Sequence, residues 1–282
     1  MKKKFIFILI FIFGVVFSLG FSKKLSDDKN AKGIPVLMYH HFADTSEVNA
    51  TVTKSEFKKQ IKYLKENNYT TITVRDLIDF KEGKKTLPKK SVLITADDGY
   101  LSNYEFMYPV LKENKMKATI NVIGDKINNA DENIKLGIGV PKFNWKQAKE
   151  MYDSGVIDIQ SHTYDSHYKD ETTNGLKCVF SKPLNKESRQ TYIKRIDGDI
   201  KKSIDSIQKN LGYKPIALFY PFGEFSETSE KVLKQNGIKA TFVINNGQTK
   251  ISKSTYLLNR IIVGGNDNLD TFIKNLNAQN QK

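Results

Sequence analysis

Short apolar runs alternate with amphipathic helical stretches along residues 34–276, and that alternation confines the chain to an α/β fold on parallel strands. Residues 34–39, 69–74, 91–96, 118–123, 156–160, 216–220, 240–244 and 257–263 read as strands. Thr53 with Glu56 forms a capping box ahead of a helix that carries Phe57, Ile61 and Leu64. Further helices are expected at 76–80, 103–114, 145–152 (capped by Asn144 and stopped by Gly155), 227–236 and 269–276. Ile193, Ile196, Ile200, Ile204, Ile207 and Leu211 mark the longest one. Residues 165–186 have no period and read as a long loop. There is no internal repeat. Strand–helix units repeated over about 240 residues argue for one α/β domain, and barrel-like closure fits them better than two half-domains.

The N-terminus sets the expected compartment. Lys2, Lys3 and Lys4 precede residues 5–21, 17 positions without a charge. That length falls between a signal-peptide core and a spanning helix of about 20 residues. Ser18 and Gly20 put small residues at −3 and −1 of a cut after Gly20, and no cysteine follows to carry a lipid. Residues 1–21 are therefore expected to be a signal peptide or N-terminal membrane anchor, 22–33 a linker, and 34–282 the functional domain. The protein is expected to work outside the cytoplasmic membrane, secreted or attached to its outer face or the cell wall, as a monomer. Nucleic acid is not an expected partner.

Composition narrows the class further. With 39% hydrophobic and 27% charged residues the chain can bury a core, which excludes wholesale disorder. Lys and Arg total 45 against 31 Asp and Glu, a net +14, or +11 without the three leading lysines. That excess favours anionic surroundings without choosing among them. One cysteine, Cys178, rules out an internal disulfide framework and any cysteine-rich metal site; it reads as an ordinary packing residue.

The chemistry-bearing residues collect at strand ends. The four histidines are His40, His41, His162 and His167. The first two follow the strand at 34–39, and the others follow the strand at 156–160. Asp97-Asp98-Gly99 follows the strand at 91–96. In a parallel barrel the C-terminal strand ends share one face, where active sites gather. Two imidazoles and a carboxylate hold a divalent ion with positions left open for water and substrate. Zn²⁺ is the default for hydrolysis, and Fe²⁺, Co²⁺ and Ni²⁺ are also accepted. A second carboxylate beside the ion can take a proton from water. Gly99 permits the sharp turn by which one of two adjacent aspartates faces the ion and the other the water.

These segments resemble a known family. Ile94-Thr95-Ala96-Asp97-Asp98-Gly99-Tyr100 is similar to the first motif of the polysaccharide deacetylases, carbohydrate esterase family four or NodB-homology domain. Residues 161–167, Ser-His-Thr-Tyr-Asp-Ser-His, resemble the second motif, and Tyr220-Pro221-Phe222-Gly223 the third. The resemblance covers about residues 34–275. It implies a distorted (β/α) barrel that removes acetyl groups from an acetylated polysaccharide with the help of a divalent metal. By position it makes Asp98, His162 and His167 the metal ligands and Asp97 the general base. Tyr220, Pro221 and Phe222 would line the substrate groove, with the Phe222 N–H as an oxyanion donor.

Departures from the family pattern shape the remaining assignments. Ala96 replaces an aromatic residue. Phe219 stands where the third motif carries arginine, so Arg260 is the substitute expected to orient the base. No histidine follows His167, so His40 becomes the candidate acid, ahead of His41. The five-residue step between the metal histidines, the early Tyr-His segment and the missing late histidine are similar to the biofilm-matrix branch, which acts on poly-β-1,6-N-acetylglucosamine. Peptidoglycan N-acetylglucosamine and acetyl-xylan are the alternative substrates. A non-catalytic carbohydrate-binding protein on the same fold and a glycoside hydrolase with paired carboxylates are the rivals from other classes.

Overall fold

Every pairing in the main sheet is parallel, as the alternation requires. The computed structural model describes residues 33–172, 174–245, 249, 251 and 254–277. The expected export segment and nearly all of the linker lie outside these residues. Among the described residues no helix is long and apolar enough to cross a membrane.

The main sheet uses β1 (Val36–Tyr39), β4 (Thr70–Ile72), β5 (Ser91–Asp97), β6 (Ala118–Val122), β7 (Ile157–Ser161), β10 (Ala217–Phe219), β11 (Ala240–Phe242) and β12 (Ile261–Ile262). Two small sheets add β2 (His41–Ala43) with β3 (Thr51–Thr53), and β8 (Lys169–Thr172) with β9 (Gly175–Cys178). The helices are α1 (Lys54–Glu66), α2 (Val74–Lys81), α3 (Tyr108–Glu113), α4 (Gly124–Asn128) and α5 (Ala130–Leu136). After them come α6 (Trp145–Asp153), α7 (Arg189–Leu211), α8 (Glu227–Gln235) and α9 (Leu269–Asn277).

The strand order β11-β10-β7-β6-β5-β1-β12 follows the chain apart from β12, and β4 pairs with the first half of β5. One short segment completes the ring. Leu258 bridges to Phe242 of β11, and Ile261–Ile262 pairs with Leu37 and Met38 of β1. The result is a distorted (β/α) barrel with a thin seam. The strand expected over 257–263 shrinks to Ile261–Ile262, and Leu257, at φ +58°, lies outside strand geometry.

Side-chain alternation sorts the strands into two layers. Val36, Leu93, Ala217, Phe219, Ala240 and Phe242 share the inner face with Val74, Leu77 and Ile78, so α2 plugs the end where the strands begin. Leu37, Ile94, Ile120 and Ile159 face outward onto a layer that includes Phe57, Ile61 and Leu64 of α1. Leu218 and Tyr220 face outward onto Ile196, Ile200 and Ile204 of α7 and Val232 and Leu233 of α8. This parity decides which residues can reach the site.

Several local expectations need correction. Thr53 caps α1 by accepting the Glu56 N–H, but the Glu56 carboxylate pairs with Lys59 at 2.6 Å instead of closing a box. Full boxes form at Thr73 and Asp76, at Asn144 and Gln147, and at Ser226 and Ser229. The stretch at 165–186 is not a plain loop, since it holds the antiparallel hairpin β8–β9. Helices α4 and α5 were not anticipated, and the helix expected at 103–114 begins as a π-helical turn, Asn103–Met107.

Candidate active site

Asp97 is the last residue of β5, on the inner face set by Leu93 and Thr95. The next two residues turn the chain over the rim, Asp98 at φ +72° and Gly99 at φ +69°. A Cβ on Gly99 would lie 2.7 Å from Ile127 Cδ1, which could shift, so it is the positive φ that calls for glycine at this turn. His40 follows β1, and His162 follows β7 in register with the inward Asp158 and Gln160. Three strand ends thus deliver a carboxylate and two imidazoles to one mouth.

Asp97 is tightly held. Arg260 Nη1 donates to both of its oxygens, at 2.7 Å each, and Asn121 Nδ2 donates to Oδ1 at 2.7 Å. The guanidinium is fully buried, 5.0 Å from the centroid of the Phe219 ring. Phenylalanine at 219 therefore forms a surface over which an arginine from the seam reaches the aspartate. Burial alone would raise the Asp97 pKa, but the charge of Arg260, then of His162 and His40, outweighs it and holds the carboxyl well below the usual range. Asp97 Oδ2 lies 4.0 Å from His40 Nε2 and 3.9 Å from His162 Nε2.

Asp98 lies beside the other imidazoles. Its Oδ1 is 3.5 Å from His162 Nε2 and 3.5 Å from His167 Nε2, and the three ligand atoms lie within 4.8 Å of one another. Two ligands bonded at about 2.0–2.1 Å to a tetrahedral ion sit roughly 3.3 Å apart. Asp98 Oδ1 is buried without a hydrogen-bond partner, an arrangement costly for a carboxylate unless a cation answers it. His162 Nδ1–H donates to the Phe219 carbonyl at 2.7 Å, which leaves the Nε2 lone pair facing Asp98. Burial pushes the His162 pKa down to about 4, so the ring is neutral, as ligation demands. This donor set fits a divalent ion.

The remaining rim residues divide. Phe222, at φ +57° and 41% exposed, sets its ring 4.7 Å from that of His167 and forms one wall of the mouth. Pro221 is buried beneath it. Tyr220, expected in the groove, is not there. It is one residue past the inward Phe219, so it points out of the barrel, fully buried, and donates to Glu230 Oε1 at 2.9 Å. His41 likewise turns from Asp97, pairing Nδ1 with Ser102 Oγ at 2.9 Å and packing on Tyr100. Lys142 stands over the Tyr100 ring, 3.2 Å from its centroid, with its pKa pushed to about 8 by burial.

Two contributors escaped sequence reasoning. Asn121 carries no motif, although its inward position on β6 beside Asp97 could have been counted from strand parity. Asp199, on α7, accepts from the backbone of the turn between His162 and His167. A lone aspartate inside a long helix gives no local signal.

Comparison with known proteins agrees with this geometry. The family model described as polysaccharide deacetylase matches residues 84–241. A Staphylococcus epidermidis protein named poly-beta-1,6-N-acetyl-D-glucosamine N-deacetylase is 34% identical over 227 residues, 80% of this chain and 72% of that one. The solved de-N-acetylase from Aggregatibacter actinomycetemcomitans superposes with a TM-score of 0.74 at 27% identity, covering 86% of this chain and 99% of its own. IcaB from Ammonifex degensii gives 0.74 at 27%, covering 89% and 98%. With motif, barrel and relatives in agreement, the chain belongs to the polysaccharide deacetylase family and is a deacetylase enzyme.

Proposed function

We propose that this enzyme removes N-acetyl groups from poly-β-1,6-N-acetyl-D-glucosamine outside the cell, with a divalent ion held by Asp98, His162 and His167. One observation carries the reading. An arginine-held carboxylate, Asp97, lies within 4.0 Å of His40 and His162, and His162 also reaches Asp98. The name and identity of the Staphylococcus epidermidis relative support the substrate. In this reading residues 1–21 export or anchor the chain, 22–33 link it, and 34–282 do the chemistry. The net charge of +14 suits the task, since each deacetylation leaves a cationic amine that a basic surface repels.

A divalent ion bound there, zinc by default, supplies Lewis acidity to the acetyl carbonyl and makes water more acidic. Asp97 accepts the proton of the attacking water through Oδ2, which accepts from Arg260 alone, whereas Oδ1 accepts from both Asn121 and Arg260. The Phe222 N–H is the candidate donor to the developing oxyanion, and Pro221 and Phe222 wall the acetyl group. His40 in its imidazolium form gives a proton to the sugar nitrogen as the carbon–nitrogen bond breaks, releasing acetate and the free amine.

The test is acetate release from three oligomers: β-1,6-linked N-acetylglucosamine, β-1,4-linked N-acetylglucosamine and acetylated xylan. We expect release from the first, its loss on chelation and its return with zinc. Preference for the β-1,4 oligomer would move the substrate to peptidoglycan-type glycans. Zinc uptake without release from any of the three would overturn the substrate reading.

The same assay tests the acid. His40→Ala is expected to lower release by roughly 10²–10⁴-fold with metal retained. His41→Ala should stay within a few-fold of the parent, because that ring is committed to Ser102. The opposite pattern would transfer the role to His41.

A further inference from the structure

We propose that Asp199 is a positioning residue that fixes the turn joining the two metal-binding histidines and so sets the affinity of the site for its ion. The inference rests on the metal reading of Asp98, His162 and His167.

The problem it solves is one of spacing. His162 and His167 are separated by four residues that must loop out and return both rings to one point. The loop is irregular, with Thr163 at φ +76°, a conformation costly for a β-branched residue. Its carbonyls are held from one side, where Gly124 N–H donates to Thr163 O at 3.1 Å and Asp125 N–H to Tyr164 O at 2.9 Å. Its donors are held from the other side by one carboxylate. Tyr164 N–H donates to Asp199 Oδ1 at 2.9 Å, Asp165 N–H to Oδ2 at 2.9 Å, and Ser166 Oγ to Oδ2 at 2.8 Å. Three successive residues of the turn are thus tied to a single side chain, and the next residue is His167.

Asp199 is well built for that role. It sits mid-way along α7, a 23-residue helix whose Ile196, Ile200 and Ile204 lock it to the barrel wall. A rigid helix therefore transmits its position to a turn that has no regular structure of its own. Gly124 permits close approach from the other flank, since a Cβ there would lie 2.7 Å from Tyr164 Cδ2. Metal ligation tolerates only about 0.2 Å in bond length, so slack in this turn is felt directly at His167. Partners that orient ligands typically account for 10–100-fold in metal affinity.

The test compares zinc affinity, by competition with a chromophoric chelator, in the parent protein and in Asp199→Ala, Asp199→Asn, Ser166→Ala and Lys209→Ala. Thermal midpoints are recorded with and without zinc. Asp199→Ala should weaken zinc binding roughly 10–100-fold. Asp199→Asn, whose remaining oxygen can still serve Asp165 and Ser166, should fall between it and the parent, and Ser166→Ala should lose only a few-fold. Lys209→Ala, an exposed position on the same helix, should bind zinc as the parent does. The rise in midpoint that zinc confers should shrink in the same order. Zinc affinity in Asp199→Ala within about twofold of the parent, with equal loss of midpoint in both forms, would make Asp199 a purely structural residue and overturn the proposal. If Asp199→Ala does not fold, the ranking of Asp199→Asn and Ser166→Ala decides. A parent protein that takes up no zinc would remove the metal reading together with this one, whereas uptake equal in parent and variants would remove this one alone.

Discussion

Asp97→Asn is expected to lower acetate release by roughly 10²–10⁴-fold while the protein still takes up a divalent ion. The substitution removes the proton acceptor without removing a ligand, since the ligand atoms converge from Asp98, His162 and His167. Asp98→Asn and His162→Ala should lose ion and turnover together. In Asp98→Asn a neutral amide meets the ion, and in His162→Ala the imidazole oriented by the Phe219 carbonyl is gone. Whichever way the amide introduced at position 97 turns, its NH2 meets Arg260 Nη1, which donates to both oxygens of the parent carboxylate, so a lowered thermal midpoint should accompany the kinetic loss. The measurement is metal content and acetate release on the same preparations. Loss of the ion in Asp97→Asn with retention in Asp98→Asn would exchange the two roles.

What could be read beforehand followed strand geometry, and what could not was long-range. β5, β6 and β7 are short and fully buried, β5 around the apolar run Val92-Leu93-Ile94 and β6 and β7 around alternating Ile and Val, so the strand ends carrying Asp97 and His162 are visible in the sequence. Arg260 could be sought because Phe219 left Asp97 without its usual partner, but only the seam brings residues 163 positions apart to 2.7 Å. Motif position puts Tyr220 in the groove, whereas strand parity does not: with Phe219 inside, the next side chain must point outward. The β8–β9 hairpin was invisible because Lys169–Thr172 and Gly175–Cys178 are mostly exposed and carry no apolar alternation. Asn121 and Asp199 act across 24 and 33 to 35 residues of sequence respectively, each as a single polar side chain, and no local pattern announces such contacts.

Arg260→Met should produce the largest loss of stability, and its pH dependence identifies the cause. Removing one partner of a buried ion pair typically costs about 3–5 kcal/mol, because the remaining charge is left buried and uncompensated. Asp97 has a folded-state pKa depressed below its ordinary value, chiefly because Arg260 overcomes the effect of burial. Its contribution to stability is therefore present above the unfolded-state value near about 4 and is lost as pH falls through the folded-state value. Methionine fills much of the same space without charge, so burial acts unopposed by arginine and the folded-state pKa moves upward. The contribution of Asp97 is then diminished above pH 4 and, once its pKa passes the unfolded value, changes sign. The stability gap between parent and variant should accordingly be widest near pH 7 and narrow as pH falls below the unfolded-state value, as urea unfolding at several pH values would reveal. The acid limb of the pH–rate profile should move upward in the variant, because the base must still be ionised to accept a proton. Arg260→Lys, which keeps the charge on a single ammonium, should recover part of both effects. A gap of equal size at pH 3 and pH 7, with an unmoved acid limb, would mean that Arg260 contributes packing over Phe219 rather than the charge that holds Asp97 ionised.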